Sequence, residues 1–262
     1  MAVLVCSCDK YKSAWQPMFE LFFKFWNDCP YRVYLMTNNA VYTHERVTTV
    51  CTGDDVSWSK SFKKVLEFLK EKYVLVIMED YFLQSKVKNE DFDLVLDYIK
   101  KNDTDCFRIF PTPPPDKKYG YCGEFMTGII AENASYRVSL QAGIWKREYL
   151  LSLIDEKESA WQFEHMGSKR SSEDGSNFIS VWEKSPRLIF DYYCTGIIQG
   201  YWIKEAVELC RKNGIEVDMS VIKAEPFWVR TKRILLCKYL VLLRTLFRKT
   251  KWYDVYRNRK YL

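Results

Sequence analysis

The amino-acid sequence predicts an α/β fold, an open sheet with helices on its faces, and three observations lead there. Short apolar runs rich in β-branched residues recur at 2–6, 31–36, 46–51, 74–78 and 106–110. Helical patterns, with apolar residues three and four apart, separate most of these runs. Polar or acidic residues follow the strand-like runs at once. This alternation is the pattern of a doubly wound sheet, whose central strands are buried on both faces and so read as continuous apolar stretches.

Each element has its own signal. The first strand, 2–6, runs into Ser7-Cys8-Asp9-Lys10-Tyr11, and Ser13 and Pro17 open a helix carrying Met18, Phe19, Phe22, Phe23 and Trp26 at helical spacing. Pro30 closes that helix, and a second strand ends in Thr37-Asn38-Asn39. After a third strand and the turn Gly53-Asp54-Asp55, Ser57 or Ser59 caps a helix of about 60–72 with Phe62, Val65, Leu66 and Leu69 on one face. The run 74–78 comes next and delivers two adjacent carboxylates, Glu79 and Asp80, to its carboxyl end. In open α/β sheets ligands bind outside the carboxyl ends of the strands, where a carboxylate can hold a divalent ion or ribose hydroxyls. A helix over 89–101 and a strand over 106–110 complete the first half.

Beyond Phe110 the character changes. The proline-rich run 111–115 is incompatible with helix or central strand and reads as a rigid loop. Segments 125–131 and 136–140 suggest a hairpin around Glu132-Asn133-Ala134. Residues 141–145 lead into a helix over 146–154, and a second helix covers 157–165. The polar, glycine-bearing stretch 167–177 reads as a mobile loop. A strand over 188–192, a loop over 196–200, a helix over 202–212 stopped by Asn213-Gly214, and a short strand over 215–217 follow. These readings divide the chain into a body of 1–226, with halves at 1–110 and 111–226, and a C-terminal helical segment, 227–262.

Composition bounds the function. Of the 262 residues 48% are hydrophobic, enough for a substantial core, and a 16% aromatic share leaves rings to line sites for flat or ring-shaped ligands. The net charge of +6 is uneven: residues 230–262 hold eleven Lys/Arg and one acid, net +10, and the preceding part holds twenty-nine basic and thirty-three acidic residues, net −4. The segment therefore has its own partner. It is apolar but interrupted by Arg230, Lys232, Arg233, Lys238 and Arg244, too charged to span a bilayer and suited to lying on an anionic membrane surface as an amphipathic helix. Packing of its apolar face on the body is the plainer alternative. Nine cysteines without a Cys-x-x-Cys pair and only two histidines argue against structural zinc. The lack of a signal-peptide pattern points to reduced thiols and an intracellular protein. Neither a nucleic-acid module, a Gly-x-Gly-x-x-Gly turn, a Walker loop nor a Gly-x-Ser-x-Gly elbow is present, so nucleic acid is not the expected partner and those enzyme classes are not supported.

The order of parts carries a resemblance. A strand ending in Ser-Cys-Asp-Lys-Tyr, a strand ending in Thr-Asn, the helix opening Asp55-Val56-Ser57-Trp58-Ser59-Lys60, the stretch Val74-Leu75-Val76-Ile77-Met78-Glu79-Asp80-Tyr81-Phe82-Leu83, then Trp161-Gln162-Phe163-Glu164 and Gly167-Ser168 follow one another. Together they resemble the GT-A class of nucleotide-sugar glycosyltransferases, more narrowly the bacterial capsule and O-antigen transferases encoded with surface-polysaccharide genes. The likeness covers about residues 3–217. It implies a GT-A-like (Rossmann-like) mixed sheet flanked by helices, with 1–110 as the nucleotide-binding half, 111–226 as the acceptor half, and a basic amphipathic C-terminal helical tail. It implies a hexosyltransferase-like enzyme extending a saccharide or lipid-linked oligosaccharide in surface-polysaccharide (capsule or lipopolysaccharide) biosynthesis, peripheral at the cytoplasmic face of the plasma membrane.

The resemblance also implies residue roles. Ser7, Asp9, Lys10 and Tyr11 would face the nucleotide, with Trp58 and Lys60 beside the same pocket. Glu79-Asp80-Tyr81 departs from the family's Asp-x-Asp metal motif at its third position. Asp80 would hold a divalent cation (Mn2+ or Mg2+) or ribose, with Glu79 in support. Inverting transfer needs one general base, for which Glu164 is chosen, with Glu158 and Asp191 in reserve. Gln141, Trp145, Trp161 and His165 would contact the acceptor, and Lys169 and Arg170 in a closing loop would meet the diphosphate. A non-catalytic membrane-associated or nucleic-acid-binding protein on an α/β scaffold is the competing reading.

Overall fold

The computed structural model describes residues 1–193, 195–235 and 239. In the first half β1 (Ala2–Cys6) leads through a 3-10 segment (Asp9–Ala14) to α1 (Trp15–Phe25). Then come β2 (Arg32–Thr37), β3 (Val47–Cys51), α2 (Trp58–Phe68), β4 (Tyr73–Met78), the short β5 (Phe82–Leu83), α3 (Asn89–Lys101) and β6 (Cys106–Arg108). The second half contains β7 (Lys117–Cys122), β8 (Phe125–Ile129), β9 (Gly143–Lys146), α4 (Arg147–Ser152) and α5 (Ala160–Ser171). It continues with β10 (Phe178–Val181), β11 (Tyr192–Tyr193), β12 (Ile197–Ile198), β13 (Tyr201–Trp202) and α6 (Lys204–Lys212).

One sheet of nine strands runs β3-β2-β1-β4-β9-β6-β10-β8-β7. The first four strands are mutually parallel. β9 is antiparallel to both β4 and β6, β10 is parallel to β6, and β8 is antiparallel to β10. The fold is thus the expected mixed α/β sheet flanked by helices. The two halves of the body share this sheet, because β9 from the second half inserts between β4 and β6.

Alternation along buried strands builds two cores. Val3 and Val5 of β1 and Leu75 and Ile77 of β4 pack with Trp15, Met18 and Phe22 of α1 and Phe92 of α3. Ala2, Leu4, Val74 and Val76 point the other way, onto Phe62 and Leu66 of α2 and Phe163 of α5. Residues i and i+2 of a strand share a face, so one apolar run feeds both layers.

The second half departs from the sequence reading in several places. The predicted hairpin of 125–131 with 136–140 is replaced by β7 pairing with β8 across a turn at Gly123, whose φ of 59° favours glycine. Residues 136–140 form no strand. Buried arginines bind carbonyls in this segment and around it: Arg108 donates to Tyr136 (2.7 Å), Arg137 (2.9 Å) and Pro113 (2.8 Å), and Arg137 donates to Ile130 (2.6 Å) and Ser176 (2.5 Å). A guanidinium has five donors and can replace several ladder bonds at once. Residues 143–146, read as the approach to a helix, are a central strand, and β10 had no counterpart in the sequence reading. The strand expected over 188–192 is reduced to β11, and 215–217 is not a strand.

Residues 227–235 are helical. Arg233 donates to Glu205 (2.9 Å) and to both oxygens of Glu225 (2.7 and 3.0 Å), and Arg230 reaches Glu205 at 3.3 Å. Two of the tail's basic residues are therefore neutralised by the body. Phe227, Trp228, Leu235 and Tyr239 are exposed. The rest of the predicted basic stripe, including Arg244 and Arg248, lies outside the described residues. Among the described residues no helix is long and apolar enough to cross a membrane.

Candidate functional site

The carboxyl ends of β1, β2, β4 and β6 share one edge of the sheet. Because β9 runs against β4 and β6, its first residue, Gly143, pairs with Val76 and Arg108 near those ends. The chain just ahead of β9 is thereby brought beside the segment that follows β4. This topology, more than any local motif, assembles the site.

At the end of β4, Glu79 and Asp80 are both buried. Asp80 Oδ2 accepts three hydrogen bonds from a distant segment: Thr195 Oγ1 at 2.8 Å, Gly196 N at 3.1 Å and Ile197 N at 3.0 Å. Burial nevertheless pushes the Asp80 carboxyl up, against these donors. Glu79 Oε2 is a buried oxygen with no hydrogen-bond partner in the structure. Burial first, and the neighbouring Asp80 second, push the Glu79 carboxyl well above its usual range. Of the pair, Glu79 takes the proton first, because Asp80 has three donors from residues 195–197 that stabilise its charge. Cys8 and Tyr11, in the loop after β1, lie within electrostatic reach of Glu79, and Asp55 within reach of Cys8.

Tyr81 continues the motif into a network. Its hydroxyl donates to Leu140 O (3.3 Å) and accepts from Gln141 Nε2 (3.1 Å). Its ring stacks on Tyr192 at 4.6 Å, and Tyr192 donates to Gln141 Oε1 at 2.7 Å while accepting from Ala142 N at 3.1 Å. On the other side of Leu140, its N–H donates to Glu164 Oε1 at 2.7 Å. Burial raises the Glu164 carboxyl, opposed by the Leu140 and Ser139 hydrogen bonds. The segment 139–141 thus connects Glu164 on α5 to the Glu79-Asp80-Tyr81 motif.

The other predicted residues fall into three groups. Ser7 accepts from Trp15 Nε1 (2.7 Å), and Asp9 accepts from the N–H groups of Asn38, Asn39 and Ala40, each at 3.0 Å. The Asp9 bonds tie the loops after β1 and β2 together, and the Ser7 bond ties the first of these loops to α1. Tyr11 is half-buried and Lys10 exposed in the same loop. Trp58 and Lys60 sit at the amino end of α2, which Ser57 caps, and Trp58 stacks on Phe62 and tilts against Phe163 of α5.

Trp161 and His165, one turn apart on α5, meet edge to face at 4.8 Å. Trp161 Nε1 donates to Tyr136 Oη at 3.2 Å, and Tyr136 lies 5.4 Å from His165. Spacing of three and four places Glu164 and His165 beside Trp161 on the helix.

The structure corrects three expectations. Trp145 is buried in β9, edge-on to Phe178 and paired with Val74 and Cys106, so it cannot meet an acceptor. Arg170 is bound bidentately to Glu158 (2.7 Å to each oxygen) and to Leu153 O, which removes both Arg170 as a diphosphate contact and Glu158 as a reserve base. The stretch 167–177 is helix as far as Ser171, where a Cβ on Gly167 would touch Val138 at 3.3 Å, and Lys169 is exposed on that helix and not part of a closing loop. Tyr81, Tyr192, Tyr136 and Thr195 were missed. Their only sequence signal was a tyrosine directly after the paired acids.

No protein-family model and no curated protein match the chain. Among solved structures, S. aureus TarS 1–349 in complex with UDP-GlcNAc is 14% identical, with 100% of this chain and 79% of that chain covered at a TM-score of 0.49. TarS 1–349 alone is 13% identical over 74% of this chain and 60% of that chain, TM-score 0.48. The bifunctional IspDF from Campylobacter jejuni is 15% identical over 73% of this chain, TM-score 0.40, and the chain spans only 52% of that protein's length. At these values the likeness assigns neither substrate nor chemistry.

Proposed function

We propose that the chain is an inverting glycosyltransferase that moves a sugar from a nucleotide-diphosphate donor to a saccharide or lipid-linked oligosaccharide acceptor in surface-polysaccharide synthesis. The observation that carries this reading is the convergence, at the carboxyl edge of the mixed sheet, of the buried pair Glu79 and Asp80 with Glu164, joined through Leu140 and Tyr81. The donor lies over the strand ends, between the loop after β1 and Asp80. Glu164 takes the proton of the acceptor hydroxyl, whose oxygen bonds to the anomeric carbon as the bond to the diphosphate breaks and its electron pair leaves with the nucleotide. Burial brings a carboxylate base closer to the working pH, where general-base catalysis is most effective. Trp161, His165 and Tyr136 offer aromatic faces to the acceptor beside Glu164.

Among the described residues no group of three His, Cys, Asp or Glu is arranged to hold a metal ion. Asp80 can supply one carboxylate, which fits a divalent ion completed by the donor's own phosphate oxygens. When bound, that ion supplies charge neutralisation to the departing diphosphate. The tail helix, with its exposed aromatic face, holds the enzyme at the cytoplasmic face of an anionic membrane.

Thermal-shift measurements on the full chain with nucleoside diphosphates and their sugars, with and without Mg2+ or Mn2+, test the donor site. A ligand of the native state raises its stability by RT ln(1 + [L]/Kd). Asp80→Ala is expected to abolish the shift. Glu164→Gln is expected to keep the shift but slow transfer by roughly a hundredfold or more. An unaltered shift in Asp80→Ala places the donor elsewhere.

A further inference from the structure

We infer that residues 195–197 form a fixed clamp that sets how Asp80 is presented to the donor, with Thr195 as the positioning residue. This rests on the reading of Asp80 as a donor-site group. The clamp delivers one hydroxyl and two successive backbone N–H groups to a single carboxylate oxygen, Oδ2, at 2.8, 3.1 and 3.0 Å. Consecutive N–H groups of this kind make an anion-binding nest, here filled by the protein's own carboxylate. The Thr195 hydroxyl also lies 3.0 Å from Ile197 O, but the carboxylate is the stronger acceptor for its one proton.

The clamp is wedged in place. A Cβ on Gly196 would come within 2.5 Å of the Phe82 ring and 3.2 Å of Asp80 O, so only glycine fits there. Gly196 O accepts from Ile203 N at 3.0 Å, and Phe82 stacks on Trp202 at 5.8 Å. The clamp is therefore tied to the β12–β13 hairpin and the start of α6. It acts as a wall and not as a gate.

The chemical consequence is that Asp80 meets its ligand through one oxygen. With Oδ2 saturated, the carboxylate is held in one orientation and offers only Oδ1 to a ribose hydroxyl or a diphosphate-bound cation. A segment 115 residues downstream in the chain thus tunes a group of the nucleotide half.

The test compares wild type, Thr195→Val, which keeps the shape and removes the donor, and Thr195→Ser, which restores the hydroxyl. Affinity is read with nucleoside diphosphates by calorimetry, and Tm is read without ligand from pH 4 to 8. Thr195→Val is expected to weaken nucleotide affinity roughly tenfold, the scale of one hydrogen bond to a charged group, and Thr195→Ser to recover it. Without ligand, the Tm deficit of Thr195→Val is expected to grow as pH rises, because the lost donor stabilises only ionised Asp80. Wild-type affinity in Thr195→Val, or a Tm deficit independent of pH, overturns the clamp. Absence of any nucleotide binding by wild type overturns the donor-site reading, and the ligand-free pH series still decides whether Thr195 stabilises the Asp80 charge.

Discussion

Among single residues, Glu79 at the strand edge gives the sharpest expectation. Its carboxyl keeps its proton to higher pH in the folded protein than in the unfolded chain, because burial first and Asp80 second oppose its ionisation. The native state then binds more protons, so stability falls as pH rises from the ordinary glutamate value near ~4.3 through the raised one. Glu79→Gln is neutral at all pH and is expected to flatten that fall, with Tm above wild type at pH 8 and no advantage at pH 4. Equal pH profiles would mean that Glu79 ionises freely. The pair itself was legible in the sequence, since an apolar run ending in two acids is a local signal. Their partners were not: Gln141 meets Tyr81 across 60 positions and Tyr192 across 51, and Thr195 meets Asp80 across 115. No short window contains both ends of such contacts.

Elements show the same division between local and distant causes. α3 over Asn89–Lys101 and α2 behind its Ser57 cap follow from amphipathic spacing and capping, which are local. β9 did not read as a strand because Gly143-Ile144-Trp145-Lys146 is short and runs straight into α4. It becomes a strand through two neighbours, β4 and β6, each supplied by the other half of the chain. Residues 136–140 alternate like a strand yet remain irregular, their backbone groups bound by side chains: Arg108 at the carbonyls of Tyr136 and Arg137, Ser168 at Val138 N and Glu164 at Leu140 N. Arg108→Met should therefore unseat this segment, leaving the buried carbonyls of Pro113, Tyr136 and Arg137 short of a donor. A loss of about 3–5 kcal/mol is expected at unsatisfied buried groups of this number, read as a lowered urea midpoint with an unchanged slope. A midpoint within error of wild type would show that the segment is held by packing alone.

Across the whole molecule, charge is divided between an acidic body and a basic C-terminal segment. The acidic body takes up Arg230 and Arg233 through Glu205 and Glu225, which fixes the start of the terminal helix against α6. Phe227, Thr231, Leu235 and Tyr239 recur every four residues, with Trp228 and Lys232 beside them, so one face of the helix presents rings and aliphatic carbon to solvent. The docked arginines face the body, so the aromatic side is the one available to a membrane. On the proposed membrane reading two forces act together: the basic residues of 230–262 other than Arg230 and Arg233 would draw the helix to anionic lipid, and Phe227 and Trp228 would enter the headgroup region. The double substitution Phe227→Ser and Trp228→Ser should reduce sedimentation with phosphatidylserine vesicles at least tenfold, since each buried ring contributes about 1.5–3 kcal/mol. Tm should stay at the wild-type value, because both side chains are exposed in the free protein. Neutral vesicles or high salt should weaken wild-type binding as well, through loss of the electrostatic part. Undiminished vesicle binding by the double variant would assign the membrane contact to charge alone, and a lowered Tm would mean that the aromatic face is packed on the body and not presented to lipid.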